Sequence, residues 1–198
     1  MQALERRCKT KDDFRYVSSP NHVHLFACDQ RQRLQQSAVL LSQRLNSIVP
    51  LTCGGLGVRD DGDTIWNELH TARACRLAIG NTIELAKNVF DGKLKNGFAI
   101  VRPPGHHAGD KPLGFCYFNT VAIAAKHLTR HRGIQRIAIV DWDIHHGNGT
   151  QQLTEDDPNI LYISLHRYDN GTYFPGGGQI AEVGRSMSSR NLDHIRIL

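Results

Sequence analysis

Asp141, Asp143 and His145 are the residues whose types and spacing most clearly suggest chemistry in this sequence. They follow an apolar run at 137–140, and alternate residues of a continuing strand place their side chains on one face. Two carboxylates and an imidazole at the end of a buried strand are unfavourable unless a cation or hydrogen-bonding partners neutralise them. Such a triplet standing alone is more often a solvated loop end. With its neighbouring motifs, it indicates oxygen and nitrogen ligands that suit a catalytic zinc ion.

His106 and His107 form a second candidate group, on a loop that follows another apolar run at 98–101. The two prolines before them make the loop rigid, and Gly105 permits a backbone angle that other residues avoid. A histidine pair alone is only moderately better evidence than a single surface histidine. On a rigid loop, in a sheet that also offers metal ligands, the pair is a candidate for general acid and base catalysis.

Phe115 and Phe174 lie in two aromatic loops that contain glycine, at 114–119 and 173–176. By themselves these rings could simply cover the loops. Beside a metal site they would line an apolar slot that accepts an aliphatic chain.

The elements that must position these groups alternate between strand and helix along the chain. Apolar runs at 98–101, 137–140 and 160–165 predict buried strands, and residues 119–131 have helical spacing between the first two. This order predicts an α/β fold with a single parallel sheet flanked by helices. Because ligands of such sheets bind at the carboxyl ends of the strands, both candidate groups are expected at one edge.

Upstream of the sheet the sequence predicts two further helices. Apolar residues recur with helical spacing over 30–46 and predict an amphipathic helix there. The glycine- and aspartate-rich stretch 53–63 predicts a loop, and Thr64 is expected to cap a helix that runs to about residue 90.

Composition narrows the class of protein. The 198 residues are 40% hydrophobic and 22% charged, as in a globular domain, with a net charge of +5 and an isoelectric point near 9.1. The basic residues form no long run, so neither direct nucleic-acid binding nor a basic localisation signal is predicted. The apolar runs are too short to span a bilayer. Five scattered cysteines without a CxxC pair predict free thiols in an intracellular, reducing compartment.

Four motifs occur in order: RPPGHHA at 102–108, GFCYFN at 114–119, VDWDIHHGNGTQ at 140–151 and LYISLHRYDNGTYFPG at 161–176. Through these motifs the sequence resembles the histone deacetylase family, and TIWNELH at 64–70 is most like its class IIa branch. The resemblance implies an arginase/deacetylase-like α/β fold whose C-terminal part is missing. The expected organisation is an N-terminal helical segment at 1–52, a catalytic core at 53–184 and an unrelated polar tail at 185–198.

The resemblance also implies a role for each matching residue. Asp143 and His145 match two of three zinc ligands, and the third is absent from this sequence. His107 matches the general base, and His106 matches its electrostatic partner. Asp141 would orient His106, and Asn148 would orient His107. A potassium site would be formed by Asp141, Asp143, Ser164 and the backbone of His145 and Leu165. The substrate tunnel would be formed by Asp63, Gly114, Phe115 and Phe174.

The implied reaction is hydrolysis of an acetyl-lysine amide with one zinc ion, and with potassium as a second cation. Acetylated histone tails or other acetyl-lysine proteins are the expected substrates, and corepressor complexes are expected partners. The resemblance further implies repression of transcription through chromatin, in the nucleus with shuttling to the cytoplasm.

Two other functions stay open at the level of the sequence. The absent third ligand also fits a catalytically inactive, truncated deacetylase-like module that recruits partners or competes with a complete enzyme. A binuclear hydrolase of arginase type would share the aspartate and histidine residues at a strand end, but it needs further carboxylates downstream that this sequence lacks.

Overall fold

The computed structural model describes residues 48–50, 56–58, 61–67 and 70–182. Within these ranges a three-stranded antiparallel sheet precedes a parallel pair of strands. The elements, in chain order, are β1 (Ile48–Pro50), β2 (Leu56–Val58), β3 (Asp61–Trp66), α1 (Thr71–Phe90), α2 (Thr120–Arg132), β4 (Ile137–Asp141), α3 (Asn148–Thr154), β5 (Ile160–Ser164) and a 3-10 turn (Asp169–Gly171).

The parallel pair carries the first candidate group at its carboxyl end. β4 and β5 pair in register along their whole length, with Asp141 opposite Ser164. A small apolar core joins them to α2 and contains Ala125, Ile139, Ile160 and Tyr162. The strands predicted at 137–140 and 160–165 are confirmed to within one residue, and the parallel α/β class is confirmed with them.

Helix α2 begins and ends where its sequence supplies caps. The side chain of Asn119 accepts a hydrogen bond from the Ala122 amide, 3.0 Å away. At the other end Gly133 adopts a left-handed conformation with φ of 65°, which glycine tolerates without strain. The helix predicted at 119–131 is therefore confirmed.

Helix α1 packs on α2 and ends at Phe90, as predicted. Its last turn is tied to α2 because the guanidinium of Arg132 donates to the carboxylate of Asp91. Its buried face consists of small and branched residues, namely Ala72, Cys75, Ala78, Ile79, Gly80 and Ile83.

The prediction that Thr64 caps this helix is wrong. Thr64 lies inside β3, and α1 begins at Thr71, where the side chain of Asn67 accepts from the amide of His70. The loop predicted at 53–63 is also wrong in part, because β2 and the start of β3 lie within it. Antiparallel pairing with an irregularity after Gly57 uses residues whose composition alone favoured a loop.

The strand predicted at 98–101 is wrong for this structure. Those residues are not part of a strand, and Phe98 and Ile100 are 86% and 90% exposed. A strand needs a neighbour for its backbone hydrogen bonds, and no strand within the described ranges pairs with this segment. The apolar pattern is present without the partner that would bury it.

Other predictions lie outside the described residues, including the helix at 30–46 and the tail at 185–198. Cys75 and Cys116 are buried free thiols, which confirms that prediction for these two cysteines. No helix in the part of the chain that the structure describes has the length and apolar character needed to cross a bilayer.

Candidate active site at the strand ends

His107 is held as a neutral base with a fixed tautomer. Its side chain is buried, and its Nδ1 lies 2.9 Å from Oδ1 of Asn148. An amide oxygen only accepts, so Nδ1 carries the proton and Nε2 keeps its lone pair. Burial and, after it, the neighbouring charge of His106 lower the pKa of His107 from 6.5 to about 4. The ring is therefore neutral at pH 7.

His106 donates to a carboxylate that stays ionised. Its Nδ1 lies 2.9 Å from Oδ2 of Asp141, and the hydroxyl of Tyr162 donates to the same oxygen at 2.9 Å. Burial alone would raise the pKa of Asp141, but the hydrogen bond and charge of His106 and the hydrogen bond from Tyr162 together lower it. The two histidine rings lie 4.0 Å apart, so Asp141 and Asn148 fix adjacent imidazoles.

Helix α3 fixes the loop that carries both histidines. The amide of Thr150 donates to the carbonyl oxygen of His106 at 3.0 Å, and Asn119 donates from its side chain to the Thr150 hydroxyl at 2.9 Å. Helix α3 approaches this loop so closely that position 149 requires glycine, since a Cβ on Gly149 would lie 2.4 Å from the backbone of Ala108. The HGNGT sequence therefore sets the position of the histidine pair.

Asp143 and His145 lie beyond the end of β4, in a more open part of the site. Their side chains are 48% and 37% exposed, and Nδ1 of His145 lies 3.0 Å from Oδ1 of Asp143. The carboxylate of Asp141 bonds His106 and does not lie with the Asp143–His145 pair. Within the described ranges, no group of three or more His, Cys, Asp or Glu side chains is placed to hold a metal ion. The structure thus brings two predicted ligands together, without a third from the described residues.

Aromatic rings connect the two halves of the site. Phe174 lies edge-on to His107 at 5.0 Å and to His145 at 5.9 Å, and Tyr173 stacks on His145 at 5.3 Å. On the opposite loop, a Cβ on Gly114 would lie 2.4 Å from the His107 ring. Two of the four residues predicted for the substrate tunnel, Gly114 and Phe174, therefore lie against His107. A third, Phe115, follows Gly114 in the same loop.

The residues predicted to surround potassium lie around the end of the parallel pair. The carbonyl oxygen of Asp141 accepts from the amide of Leu165 at 2.8 Å. The hydroxyl of Ser164 lies 2.8 Å from Nδ1 of the buried His166. Their role with potassium stays a prediction.

Sequence reasoning missed Thr64, Thr150 and Tyr162. Each contributes a hydroxyl to the site or to the loops that hold it, yet a serine, threonine or tyrosine inside an apolar pattern gives little signal of such a role. The spacing of Tyr162 along β5 predicts its burial, and a buried hydroxyl needs a partner. Asp63, the predicted rim residue, lies in β3, and its side chain lies outside the described part.

The family model for the histone deacetylase domain matches residues 1–195 of the chain. The chain belongs to the histone deacetylase family. This match is longer than the range 53–184 over which the motifs carry the resemblance, and the boundary at 184 stays a prediction.

Among curated members of the histone deacetylase family, human histone deacetylase 7 is 50% identical over 188 residues, which are 92% of this chain and 19% of that protein. Human histone deacetylase 9 is 49% identical, with 94% and 18% covered, and Caenorhabditis briggsae histone deacetylase 4 is 48% identical, with 88% and 19% covered. These relatives confirm the class IIa prediction. The chain spans about a fifth of their length.

The fold of this family member is similar to a solved structure, the crystal structure of the HDA15 HD domain. The TM-score is 0.68 at 37% identity, and the match covers 89% of this chain and 43% of that chain. The arginase/deacetylase-like α/β prediction is therefore confirmed at the level of the fold.

Proposed function

We propose that this site is that of a zinc-dependent lysine deacetylase that hydrolyses acetyl-lysine amides in histone tails or other proteins. The observation that carries the proposal is the neutral His107, whose Nε2 is unprotonated while Asn148 fixes its tautomer. His107 lies beside His145, with ring centroids 5.9 Å apart. A base held ready in this way next to oxygen and nitrogen ligands suits hydrolysis of an unreactive amide.

Asp143 and His145 would hold the zinc ion. Their facing atoms are oxygen and nitrogen donors 3.0 Å apart, and both side chains are accessible, so the pair fits a zinc ion that takes further ligands. The third ligand is not among the residues that the structure describes. When bound, zinc would polarise the acetyl carbonyl and make water a better nucleophile.

The histidine pair moves the protons of the reaction. His107 accepts a proton from the attacking water at Nε2, and Asn148 keeps the ring oriented while it does so. The positive charge then formed lies near the ionised Asp141, which bonds His106. The pair returns a proton to the departing lysine nitrogen, which leaves as an amine.

An apolar wall suits the substrate side chain. Acetylation removes the lysine charge, so the aliphatic stem and amide enter an aromatic slot at a modest desolvation cost. Phe115 and Phe174 supply the walls of this slot in the proposal, and Asp63 would hold the substrate backbone at the rim. Asp141, Asp143, His145, Ser164 and Leu165 would hold potassium behind it.

The wider biological function belongs to the same proposal. A deacetylase of class IIa type would act on chromatin to repress transcription, with corepressor complexes as partners, in the nucleus and in exchange with the cytoplasm. The support is the family and the relatives at half identity.

The test is zinc content together with turnover of acetyl-lysine and trifluoroacetyl-lysine peptides by the purified chain. We expect bound zinc, and turnover that falls by about 10²- to 10⁴-fold in His107→Ala, the usual effect of removing a general base. His131→Ala is a matched control, because it removes an exposed histidine at the far end of α2. Turnover that survives in His107→Ala would reject the proposed base.

A second function is favoured by the ligand geometry. Because only two candidate ligands meet within the described residues, the chain also suits a non-catalytic module that binds acetyl-lysine proteins or competes with a complete enzyme. This alternative predicts a folded chain that binds a fluorescent acetyl-lysine peptide without turning it over. A chain that gives no stable folded product would exclude it.

A further inference from the structure

Thr64 lies in β3 and is fully buried, although its neighbour Ile65 is 62% exposed. Its hydroxyl oxygen accepts a hydrogen bond from the backbone amide of Phe115 at 2.8 Å. The two residues are 51 positions apart in the sequence, so the bond ties the antiparallel sheet to the loop beside His107.

The amide that Thr64 holds belongs to an unusual stretch of backbone. Gly114 and Phe115 are consecutive residues with φ of 53° and 66°. A residue with a Cβ adopts such a left-handed conformation at a cost of roughly 1 to 2 kcal/mol, and it persists where the surroundings determine it. The bond to Thr64 is one of those determinants.

The same loop is in contact with the proposed base. Space for a Cβ on Gly114 is absent, since that atom would lie 2.4 Å from Cδ2 of His107 and 3.1 Å from the Phe174 ring. A small movement of the Gly114 and Phe115 backbone therefore changes the gap between the two aromatic walls.

A second bond joins the same two elements, one residue further along β3 and two residues further along the loop. The hydroxyl of the buried Tyr117 donates to the carbonyl oxygen of Ile65. β3 and the loop are thus connected by two bonds that lie close together in both elements, which restricts how they move relative to one another.

We propose that Thr64 is a positioning residue that holds the Gly114–Phe115 backbone beside His107 and so determines which acyl-lysine side chains fit the slot. The kinetic part of this inference rests on the proposed deacetylase function. The structural part does not, because it concerns the conformation of the chain alone.

Hydrogen exchange at the Phe115 amide tests the structural part. Thr64→Val keeps the shape of the side chain but removes the acceptor, and Thr64→Ser keeps the hydroxyl. We expect exchange of this amide to be about tenfold faster in Thr64→Val, the effect of losing one hydrogen bond, and to return towards wild type in Thr64→Ser. Equal exchange in folded Thr64→Val and wild type would overturn the inference.

Steady-state kinetics test the functional part. The wall contacts the substrate in its ground state and its transition state alike, so Thr64→Val should raise KM severalfold with kcat little changed, and Thr64→Ser should restore KM. A fall in kcat alone, or no rescue by serine, counts against a positioning role. Absence of turnover in the wild-type chain would reject the proposed function and leave the exchange result to decide the structural part.

If Thr64→Val does not fold, the wild-type chain still tests the inference. Phe115 lies outside any helix or strand and is 57% exposed, so its amide would exchange quickly without the hydrogen bond to Thr64. Slow exchange supports the role of Thr64, and fast exchange overturns it.

Discussion

The histidine pair and the Asp143–His145 pair face one another across the site, but they are held in different ways. His106 and His107 bond to Asp141 and Asn148, residues 35 and 41 positions away in the sequence. Asp143 and His145 are held by bonds that span two residues, such as the 2.8 Å bond from the His145 amide to the Asp143 carboxylate. One half is fixed by the fold, whereas the other is fixed locally.

This difference separates two kinds of contribution. Side chains of the histidine half are largely buried, and their hydrogen bonds connect the histidine loop to β4, α2 and α3. Changes there should alter the free energy of unfolding as well as any activity. Changes in the more exposed Asp143–His145 half should leave folding nearly intact and act on the proposed metal binding.

The largest expected effect is the pH dependence that His107 gives to folding. Its pKa is lowered from 6.5 to about 4, so the native protein binds this proton less readily than the unfolded chain. Above pH 6.5 His107 is neutral in both the folded and the unfolded protein, so it does not affect stability. As the pH falls towards 4, protonation of the unfolded chain lowers the free energy of unfolding by roughly 3 kcal/mol in total. Urea denaturation between pH 7 and pH 4 should show this loss in wild type and a smaller loss in His107→Gln. Parallel pH profiles would contradict it.

Asparagine substitutions in the two halves sharpen the comparison. Asp141→Asn replaces an oxygen that accepts from both His106 and Tyr162, and we expect the free energy of unfolding to fall by about 2 to 3 kcal/mol. Asp143→Asn changes a half-exposed group and should cost less than about 1 kcal/mol. Chemical denaturation at pH 7 measures both. Equal losses would show that the two halves are held in the same way.

A further pair of substitutions concerns the glycines. Gly149→Ala should lower the free energy of unfolding by about 2 kcal/mol, because its Cβ would meet the backbone of Ala108 at 2.4 Å. Gly177→Ala is the matched control in the aromatic loop, where the nearest atom is 3.5 Å away, an ordinary contact. Its effect should stay within about 0.5 kcal/mol by thermal or chemical denaturation. If Gly149→Ala left the free energy of unfolding unchanged, helix α3 and the histidine loop would have to move apart easily.

Local signals in the sequence predicted the parallel part of the fold. The helical spacing of residues 119–131 and the short, continuous apolar runs of β4 and β5 are all local patterns. β2 and β3 were missed because glycine and aspartate favour loops, while strand formation depends on a pairing partner that composition does not reveal. The same dependence on a partner explains why the apolar run at 98–101 did not predict its structure.

The site was predicted where its residues cluster in motifs and missed where distant residues support them. His106, His107, Asp143 and His145 were recognisable from their types and spacing. The strand alternation that placed Asp141 with Asp143 and His145 fails because β4 ends at Asp141 and the chain then turns. The bonds from the Phe115 amide to Thr64 and from the Tyr162 hydroxyl to Asp141 join residues that are far apart in the sequence, so no local pattern encodes them.

Trp142, which is 80% exposed, lies between the two carboxylates of the VDWD sequence. Its indole is therefore a natural optical reporter for this edge of the sheet. The chain contains two tryptophans, so Trp66→Phe leaves a single emitter there. Any segment, subunit or ligand that covers the strand ends will shift its fluorescence to shorter wavelength and shield it from iodide quenching. Coverage of this edge of the sheet is thus readable in solution without a label.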